Sequence, residues 1–243
     1  MLVIAGTDSS GGAGLTRDVA TLTQLRTEAL CAVTAVTAQT DAAVTAVGKL
    51  PASLVSAQIA AAIATARVRA VKIGMLADAG IVAAVSAALP PREGTPLVLD
   101  PVLAASSGGE LLDAAGRAAL RRLLLPRTTL LTPNLGEAAV LLDAAAATGE
   151  EAIVAQGRAL CALGALAVLM KGGHAGGPLA IDWLVTAEGG VESFSAPRLP
   201  VAQRGTGCAL ASAIAAGLAM GLGLAAACAQ AKRHVTEMLR QAG

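Results

Sequence analysis

The stretch LVIAGTDSSGGAGLTRDVATL, residues 2–22, joins an apolar run to a glycine-rich segment and then to a helical pattern. Residues 2–5 are apolar without interruption, which is typical of a strand buried on both faces of a sheet. The glycines that follow permit a tight turn whose backbone can approach a ligand closely. A helix is predicted over residues 14–26, so the stretch indicates the first strand–loop–helix unit of an α/β fold.

The same alternation continues along the chain. Further strands are predicted at residues 29–38, 70–75, 96–102, 128–134 and 165–173, and helices at residues 52–66, 78–89, 135–143 and 150–163. A hairpin is predicted from residues 181–186 and 190–196, and two helices end the chain. Since no linker or repeat divides this pattern, we expect one domain over residues 1–243. Its sheet should be mostly parallel, with helices on both faces.

Composition narrows the range of functions. The 18 basic and 17 acidic residues nearly balance, and aromatic residues are limited to Trp183 and Phe194, which argues against a nucleic-acid ligand. The four cysteines lie far apart, which disfavours a zinc site and fits a reducing cytoplasm. Residues 209–231 carry no charge but consist mostly of Ala and Gly. Two buried helices are therefore favoured over a membrane span.

Polar side chains follow several of the predicted strands. Ligands of open α/β sheets bind beyond the carboxyl ends of the strands. Asp100, Glu137 and Lys171 all fall at such ends. Two carboxylates suit Mg²⁺ or its water ligands, and a lysine beside glycines suits a phosphate group. Each residue also has a purely structural interpretation. Asp100 could be a turn carboxylate, Asn134 and Glu137 fit a helix-capping pattern, and Lys171 and His174 could be loop residues.

A second glycine-rich stretch, RGTGCALASAIAAGLAMG, covers residues 204–221. Residues 205–207 would place free backbone N–H groups at the N-terminus of a helix, where anions bind. Cys208 falls in the first turn, where the helix dipole lowers the pKa of a thiol. The alternative is a buried, inert cysteine, which the other three cysteines fit well. Taken together, the acids, the lysine and the N–H groups predict phosphoryl transfer with Mg²⁺.

These motifs resemble those of the hydroxymethylpyrimidine/phosphomethylpyrimidine kinases of thiamine biosynthesis, in the ribokinase-like superfamily. The resemblance runs nearly end to end through IAGTDSSGGAGLTRDVATL, TAVTAQT, VKIGML, VLDPVLAASSG, LLTPNLGEAAVLL, VLMKGGH and RGTGCALASAIAAGLA. It implies a three-layer ribokinase-like α/β fold. It also implies a cytoplasmic homodimer that uses ATP and Mg²⁺ to phosphorylate 4-amino-5-hydroxymethyl-2-methylpyrimidine, and then its monophosphate.

The resemblance also implies a role for each matching residue. The pyrimidine pocket would be formed by Gly6, Asp18, Gln39, Met75 and Val102, with hydrogen bonds between the aminopyrimidine edge and the side chains of Asp18 and Gln39. The ligands of Mg²⁺ would be Asp100 and Glu137. The phosphates of ATP would meet Asn134, Lys171, Gly172 and Thr206. The catalytic anion hole would consist of Gly205, Thr206, Gly207 and Cys208, where sugar kinases of the superfamily carry an aspartate base in place of the cysteine.

The chain departs from the family pattern at three places. It has Gln203-Arg204 where a histidine is usual, Thr40-Asp41 where Asn-Thr is usual, and Ser106 where a lysine is usual. These departures concern lid closure, phosphate affinity and the second transfer, and Arg204 could supply the cation lost at Ser106. Two other functions stay open, a pyridoxine or pyridoxal kinase of the same fold and a non-catalytic pyrimidine sensor. A nicotinamide-dependent oxidoreductase is disfavoured because no G-x-G-x-x-G opens the first helix.

Overall fold

The computed structural model describes residues 1–91, 93–105, 109–173, 176–201 and 203–242. Within these ranges the chain forms one sheet of nine strands, in the order β3-β2-β1-β4-β5-β6-β7-β8-β9. The strands are β1 (Leu2–Asp8), β2 (Leu30–Gln39), β3 (Val44–Lys49), β4 (Val71–Ile73), β5 (Leu97–Leu99), β6 (Leu130–Leu131), β7 (Ala167–Lys171), β8 (Leu179–Thr186) and β9 (Val191–Pro197).

Eight α-helices accompany these strands in the described ranges. They are α1 (Gly14–Gln24), α2 (Ala52–Thr65), α3 (Ala79–Ala88), α4 (Ala114–Leu123), α5 (Leu135–Leu142), α6 (Glu150–Ala162), α7 (Thr206–Ala219) and α8 (Leu224–Gln241). Six neighbouring strands pair in parallel, in the order β2, β1, β4, β5, β6 and β7. The strands β3, β8 and β9 add antiparallel edges. The predicted α/β fold with a mostly parallel sheet is confirmed.

Two apolar cores cover the two faces of the sheet. Along β1, Leu2 and Ile4 point into the core beneath α2 to α6, and Val3 and Ala5 point into the core beneath α1, α7 and α8. All four side chains are at most 1% exposed. The uninterrupted apolar run in the sequence therefore reflects burial on both faces, and the result is a three-layer structure.

Two elements were not predicted from the sequence. Most of β3 is exposed, so it lacks the apolar run by which the other strands were identified. The helix α4 buries only three of its residues, and it begins where the side chain of Asp113 accepts a hydrogen bond from the backbone of Gly116. The predicted strands at residues 96–102 and 128–134 are shorter in the structure, because the chain leaves the sheet at Asp100 and Thr132.

The uncharged segment at residues 209–231 is divided between α7 and α8 by a turn at residues 220–223. In the part of the chain that the structure describes, no helix combines the length and apolar character needed to cross a bilayer. The prediction of two helices joined by a glycine turn is therefore confirmed. The helix α7 is largely buried, whereas α8 buries only Ala227, Cys228 and Ala231.

Because α6 packs closely on β8, we expect replacement of Gly157 in α6 by alanine to destabilise the protein, although alanine normally favours a helix. A Cβ atom at Gly157 would lie 2.8 Å from Cγ2 of the fully buried Val185. We expect Gly157→Ala to destabilise the protein by about 1–3 kcal/mol through overpacking. The matched control is Gly80→Ala, at an exposed position in the first turn of α3, which should be neutral or stabilising by up to about 1 kcal/mol. Urea denaturation of both variants measures this, and equal midpoints would contradict the packing argument.

Candidate functional site

The candidate site lies at the edge of the sheet where the parallel strands end. Asp100 directly follows β5, Lys171 is the last residue of β7, and Glu137 lies in the first turn of α5, just after β6. Because β6 lies between β5 and β7 in the sheet, the three side chains converge. The tertiary structure therefore brings together the acids and the lysine that the sequence had placed after separate strands.

Lys171 holds the two acids together. Its Nζ donates a hydrogen bond to Oδ1 of Asp100 at 2.8 Å and lies 3.9 Å from Oε2 of Glu137. The hydroxyl of Thr132 donates to the same Asp100 oxygen at 3.2 Å. Burial alone would lower the pKa of Lys171, but the carboxylates of Asp100 and Glu137 outweigh burial and raise it. The ammonium group is therefore charged throughout the neutral pH range.

Glu137 caps the start of α5 and also contributes a titratable carboxyl group to the site. Its backbone N–H donates to Oδ1 of Asn134 at 2.8 Å, and its Oε2 accepts from the backbone N–H of Asn134 at 2.7 Å. This is the capping box expected from the sequence. Burial raises the pKa of Glu137 to about 7 against the opposing effect of Lys171, and Asp100 adds to the rise. The protein without a bound cation thus holds a proton on Glu137 up to near-neutral pH.

The remaining carboxylate oxygens suit a divalent cation. Oδ2 of Asp100 and Oε1 of Glu137 make no hydrogen bond within the described ranges, since the other oxygen of each acid takes the contacts with Lys171, Thr132 and Asn134. The described residues contain no cluster of three or more acidic, His or Cys side chains for a metal. Mg²⁺ binds through one or two carboxylates, with water and substrate phosphates as further ligands. The two free oxygens fit that pattern.

The N-terminus of α7 points at this cluster. A Cβ atom on Gly207 would lie 3.2 Å from Nζ of Lys171 and 3.7 Å from Oδ2 of Asp100. Gly205 has φ = 75°, and a side chain there would collide with the carbonyl of Gly12 in the first glycine-rich loop. Backbone N–H groups in the first turn of a helix have no acceptor within the helix. Together with the helix dipole they form an anion site beside Lys171.

Cys208 is a thiol in the resting protein, contrary to the expectation from the helix dipole. Burial raises its pKa to about 11, although Lys72 and a hydrogen bond from the backbone of Gly14 act in the opposite direction. The nearby carboxylates of Asp18 and Asp100 add to the rise. Desolvation therefore outweighs the helix terminus at this position. The sulfur can donate a proton in a hydrogen bond, but it carries no negative charge at neutral pH.

Four of the expected pocket residues lie along the same edge. Gly6 faces Met75 so closely that a Cβ on Gly6 would lie 2.8 Å from the methionine sulfur. Gln39 ends β2, where its backbone N–H donates to the hydroxyl of Ser9 at 2.8 Å. Val102 is half-buried two residues beyond Asp100. Gly6, Met75 and Gln39 thus lie beside the first glycine-rich loop, and a role of the four residues in a substrate pocket stays a prediction.

Asp18 is placed differently from the sequence-based expectation. Its two oxygens lie 2.8 and 2.7 Å from Nζ of Lys72, and Oδ1 also accepts from the hydroxyl of Ser212 at 2.8 Å. The Asp18 and Lys72 side chains are both 0% exposed. A direct hydrogen bond from a pyrimidine to Asp18 does not fit this geometry, because both carboxylate oxygens are buried and already accept from Lys72, and Oδ1 also accepts from Ser212. The signal that could have identified Lys72 is a lysine within the apolar strand VKI.

Arg204 joins the two glycine-rich stretches to the turn after β2. Its guanidinium lies 2.8 Å from Oδ2 of Asp8 and 3.2 Å from Oδ1 of Asp41, and it donates to the carbonyl of Thr40 at 3.0 Å. The positive charge of Arg204 is thus shared by two carboxylates. Ser106, whose missing lysine Arg204 was expected to replace, lies outside the described residues, as does His174.

Gly172 is held by two residues that the sequence analysis did not identify. Its backbone N–H donates to Oδ1 of Asp182 at 3.0 Å, and Lys232 pairs with the other oxygen of Asp182 at 2.7 Å. A side chain at Gly172 would collide with the carbonyl of Ile181. Gly172 is therefore fixed against β8, and through Asp182 it is connected to α8. Pairings of this kind have no signal in the local sequence.

The raised pKa of Cys208 predicts slow alkylation. The iodoacetamide rate at Cys208 should increase about tenfold per pH unit between about pH 7 and 9.5 without reaching a plateau, because only the thiolate reacts. The exposed Cys31 provides an internal reference, and it should react faster than Cys208 at neutral pH. Mass spectrometry of the peptides measures both rates. A plateau at Cys208 below about pH 8.5 would show that the helix terminus outweighs desolvation.

Comparison with known proteins agrees with this geometry. A family model described as phosphomethylpyrimidine kinase matches residues 8–243. The hydroxymethylpyrimidine/phosphomethylpyrimidine kinase of Salmonella typhimurium is 45% identical over 216 residues, which cover 88% of this chain and 81% of the relative. The corresponding enzyme of Escherichia coli is 42% identical over 242 residues, covering 99% of this chain and 91% of the relative.

Solved structures show the same similarity. The crystal structure of phosphomethylpyrimidine kinase from Clostridium difficile has a TM-score of 0.85 and 34% identity, and the match covers 98% of this chain and 97% of that one. Pyridoxal kinase from Staphylococcus aureus, in complex with pyridoxal, has a TM-score of 0.89 at 27% identity, covering 98% and 87%. The ribokinase-like fold implied by the sequence is confirmed. Since the family model spans nearly all of the sequence, the chain belongs to the phosphomethylpyrimidine kinase family.

Proposed function

We propose that the protein is a kinase that transfers the γ-phosphoryl group of ATP to 4-amino-5-hydroxymethyl-2-methylpyrimidine, and then to the resulting monophosphate. The observation that carries this proposal is the approach of the α7 N-terminus to the Lys171–Asp100 pair, with the position of a Gly207 Cβ only 3.2 Å from the ammonium nitrogen. A transferring phosphoryl group needs cations and N–H donors around its oxygens. The names of the relatives supply the pyrimidine substrates.

The phosphates of ATP would bind along the loops that follow β6 and β7. Lys171 contributes a permanent positive charge, and the absence of a side chain at Gly172 lets its backbone lie against Ile181 of β8. Asn134 and Thr206 border the same space, at the N-termini of α5 and α7. Helix N-termini favour negative charge, so the two helices add to the attraction of the lysine.

Mg²⁺ would be held by Asp100 and Glu137, directly or through water. When bound, the cation supplies positive charge to the oxygens of the transferring and leaving phosphates. Glu137, whose pKa is about 7 in its absence, gives up a proton when the cation binds. Lys171 keeps Asp100 oriented from the opposite side, since it contacts Oδ1 and leaves Oδ2 free.

The acceptor would lie between the first glycine-rich loop and the ends of β4 and β5. The absence of a side chain at Gly6 lets Met75 pack closely against β1, and Val102 would close the other side of the ring. The amide of Gln39 offers both a donor and an acceptor, which match an aminopyrimidine edge. Met75 and Val102 contribute apolar contact with the ring faces.

The transfer itself would take place at the first turn of α7. The hydroxymethyl oxygen attacks the γ-phosphorus, and the bond from that phosphorus to the ADP oxygen breaks. The N–H groups of Gly205, Thr206, Gly207 and Cys208 face the charge that develops on the phosphoryl oxygens. A neutral thiol at Cys208 does not repel a phosphate acceptor, as a fixed carboxylate would. The transition state is loose, so the alcohol proton leaves late, and an oxygen of the transferred phosphoryl group or a water molecule accepts it without a strong base.

Pyridoxal phosphorylation is the second candidate. Structural similarity to the pyridoxal kinase of Staphylococcus aureus supports it, while the higher identity to pyrimidine kinases favours the pyrimidine. A sensor without catalysis is disfavoured because Asp100, Lys171 and Glu137 make the contacts that a working site requires.

We also propose that residues 1–243 act as one domain in a cytoplasmic homodimer. The nine-stranded sheet supports a single domain, and four free cysteines suit a reducing compartment. Val36 is 50% exposed and Val47 is 39% exposed near the β2–β3 end of the sheet, which supports a second copy there. Light scattering after gel filtration tests the dimer. A single-chain mass at micromolar concentration would reject it.

The function is tested by a coupled assay of ADP release from the purified protein. Hydroxymethylpyrimidine, its monophosphate and pyridoxal are offered separately, with and without Mg²⁺. Turnover of both pyrimidines that depends on Mg²⁺ is expected. Turnover of pyridoxal alone would move the assignment to the second candidate, and binding of a pyrimidine without turnover would support the sensor. Turnover of the alcohol alone would show that the second transfer has been lost.

Gly207 provides a sharp test of the anion site. The methyl group of Gly207→Ala would contact the ammonium of Lys171, so we expect kcat to fall about 100-fold through displacement of the reacting groups. The unfolding midpoint should be unchanged or slightly higher, because alanine favours a helix. Gly80→Ala is the matched control, since both glycines are the second residue of their helices. Unchanged kcat in Gly207→Ala would remove the α7 N-terminus from the mechanism.

Substitution of Arg204 should weaken the binding of both acceptors, the alcohol and its monophosphate, to a similar extent. Because its charge is shared by Asp8 and Asp41, we expect Arg204→Gln to raise KM by about 3- to 10-fold for the alcohol and for its monophosphate, through loosening of the loops. Steady-state kinetics with each acceptor checks this expectation. A rise confined to the monophosphate would instead support direct contact between Arg204 and the substrate phosphate.

A further inference from the structure

The Lys72–Asp18 ion pair lies completely inside the protein, behind the candidate site. Both side chains are 0% exposed, and the nitrogen lies within 2.8 Å of each carboxylate oxygen. A buried ion pair contributes little to stability, because the loss of hydration of both charges offsets their attraction. Apolar side chains of similar volume would fill this space at least as well. The stability of the fold therefore does not account for the pair.

The ion pair is connected to α7 directly beneath Cys208. Ser212 is fully buried and donates its hydroxyl to Oδ1 of Asp18 at 2.8 Å. Ser212 follows Cys208 by four residues, so the two side chains lie on the same face of α7, one turn apart. One hydrogen bond and one ion pair thus connect α7 to α1, which carries Asp18, and to β4, which carries Lys72.

The other end of the connection supports the acceptor pocket. A Cβ atom on Gly74 would lie 2.9 Å from Nζ of Lys72, so the ammonium group packs against the backbone that leads to Met75. The backbone N–H of Gly74 also donates to the carbonyl of Ile4 at 2.8 Å, beside Gly6 on β1. Lys72 therefore contacts the chain that forms the pocket wall, and through Asp18 it reaches the helix that carries Cys208.

The charges around Cys208 agree with this arrangement. Lys72 on β4 is the cation that acts to lower the pKa of the thiol, and Asp18 on α1 and Asp100 after β5 act to raise it. In turn, burial alone would lower the pKa of Lys72, but the combined effect of Asp18, Cys208 and Asp100 outweighs burial and raises it. The ammonium group is thus charged at the pH at which the enzyme works.

We propose that Lys72, Asp18 and Ser212 form a positioning network that fixes the first turn of α7, including Cys208, relative to the acceptor pocket on β1 and β4. The proposal rests on the proposed kinase function, because the reacting groups it positions are those of phosphoryl transfer. None of the three residues touches a reacting atom. Their effect is on the distance between the anion site and the acceptor hydroxyl.

Ser212→Ala and the double variant Lys72→Met/Asp18→Asn test the network. Ser212→Ala removes only the connection to α7, while the double variant removes both charges and leaves no unpaired ion. We expect kcat to fall about 10-fold in Ser212→Ala and about 100-fold in the double variant, with KM for ATP changed by less than about 3-fold. The alkylation rate of Cys208 at neutral pH should change by at least about 3-fold in both variants.

The matched control is Thr128→Val. Thr128 is fully buried, and its hydroxyl donates to the carbonyl of Leu124 at 2.8 Å, at the opposite edge of the sheet from the site. This control should lower the unfolding midpoint as much as Ser212→Ala does, while kcat and the alkylation rate of Cys208 stay unchanged. If Ser212→Ala behaves like the control in all three measurements, the network is only structural and the proposal is overturned.

The alkylation rate separates this proposal from the proposed function. If the unmodified protein turns over no acceptor, the kinase assignment fails, and a changed alkylation rate in Ser212→Ala would still support the connection to α7. If the unmodified protein is an active kinase but the variants keep both their kcat and their alkylation rate, the positioning network fails alone. If the double variant does not fold, Ser212→Ala decides the outcome by itself.

Discussion

The close approach of the first turn of α7 to the end of the sheet is the constraint on which the rest of the site depends. It brings backbone N–H groups to the Lys171–Asp100 pair, and it leaves no space for a side chain at Gly205 and little space at Gly207. The glycine-rich loop after β1 fits under the same turn, since Gly12 meets Gly205. Strand pairing contributes the other half of the arrangement, because parallel β5, β6 and β7 deliver their ends to the same edge.

Desolvation, more than local dipoles, sets the protonation states in this site. Burial keeps Cys208 neutral although it lies at a helix N-terminus, and burial lets Glu137 keep a proton near neutral pH although it lies beside Lys171. Both groups respond to ligands that change the local charge. An arriving cation favours the ionised form of Glu137, and a neutral thiol accepts a neighbouring phosphate without repulsion. The resting site is therefore adapted to receive its charged substrates.

Two departures from the family pattern prove to be partners in space. Arg204 and Asp41 are 163 positions apart in the chain, yet their side chains pair at 3.2 Å, and Asp8 joins them from the loop after β1. Two carboxylates therefore offset the positive charge of this unusual arginine. This contact connects three segments: the loop after β1, the turn after β2 and the residues that precede α7.

The sequence by itself determined the alternation of strands and helices, the family, and the residues that follow each strand at the site edge. These features are local, because periodicity, glycine turns and caps act within a few residues of the chain. Only the tertiary structure decided the pairing of Lys72 with Asp18 and Ser212, the high pKa of Cys208 and the existence of the exposed strand β3. Each of these depends on burial or on contacts between distant segments, and neither quantity is encoded in a short stretch of residues.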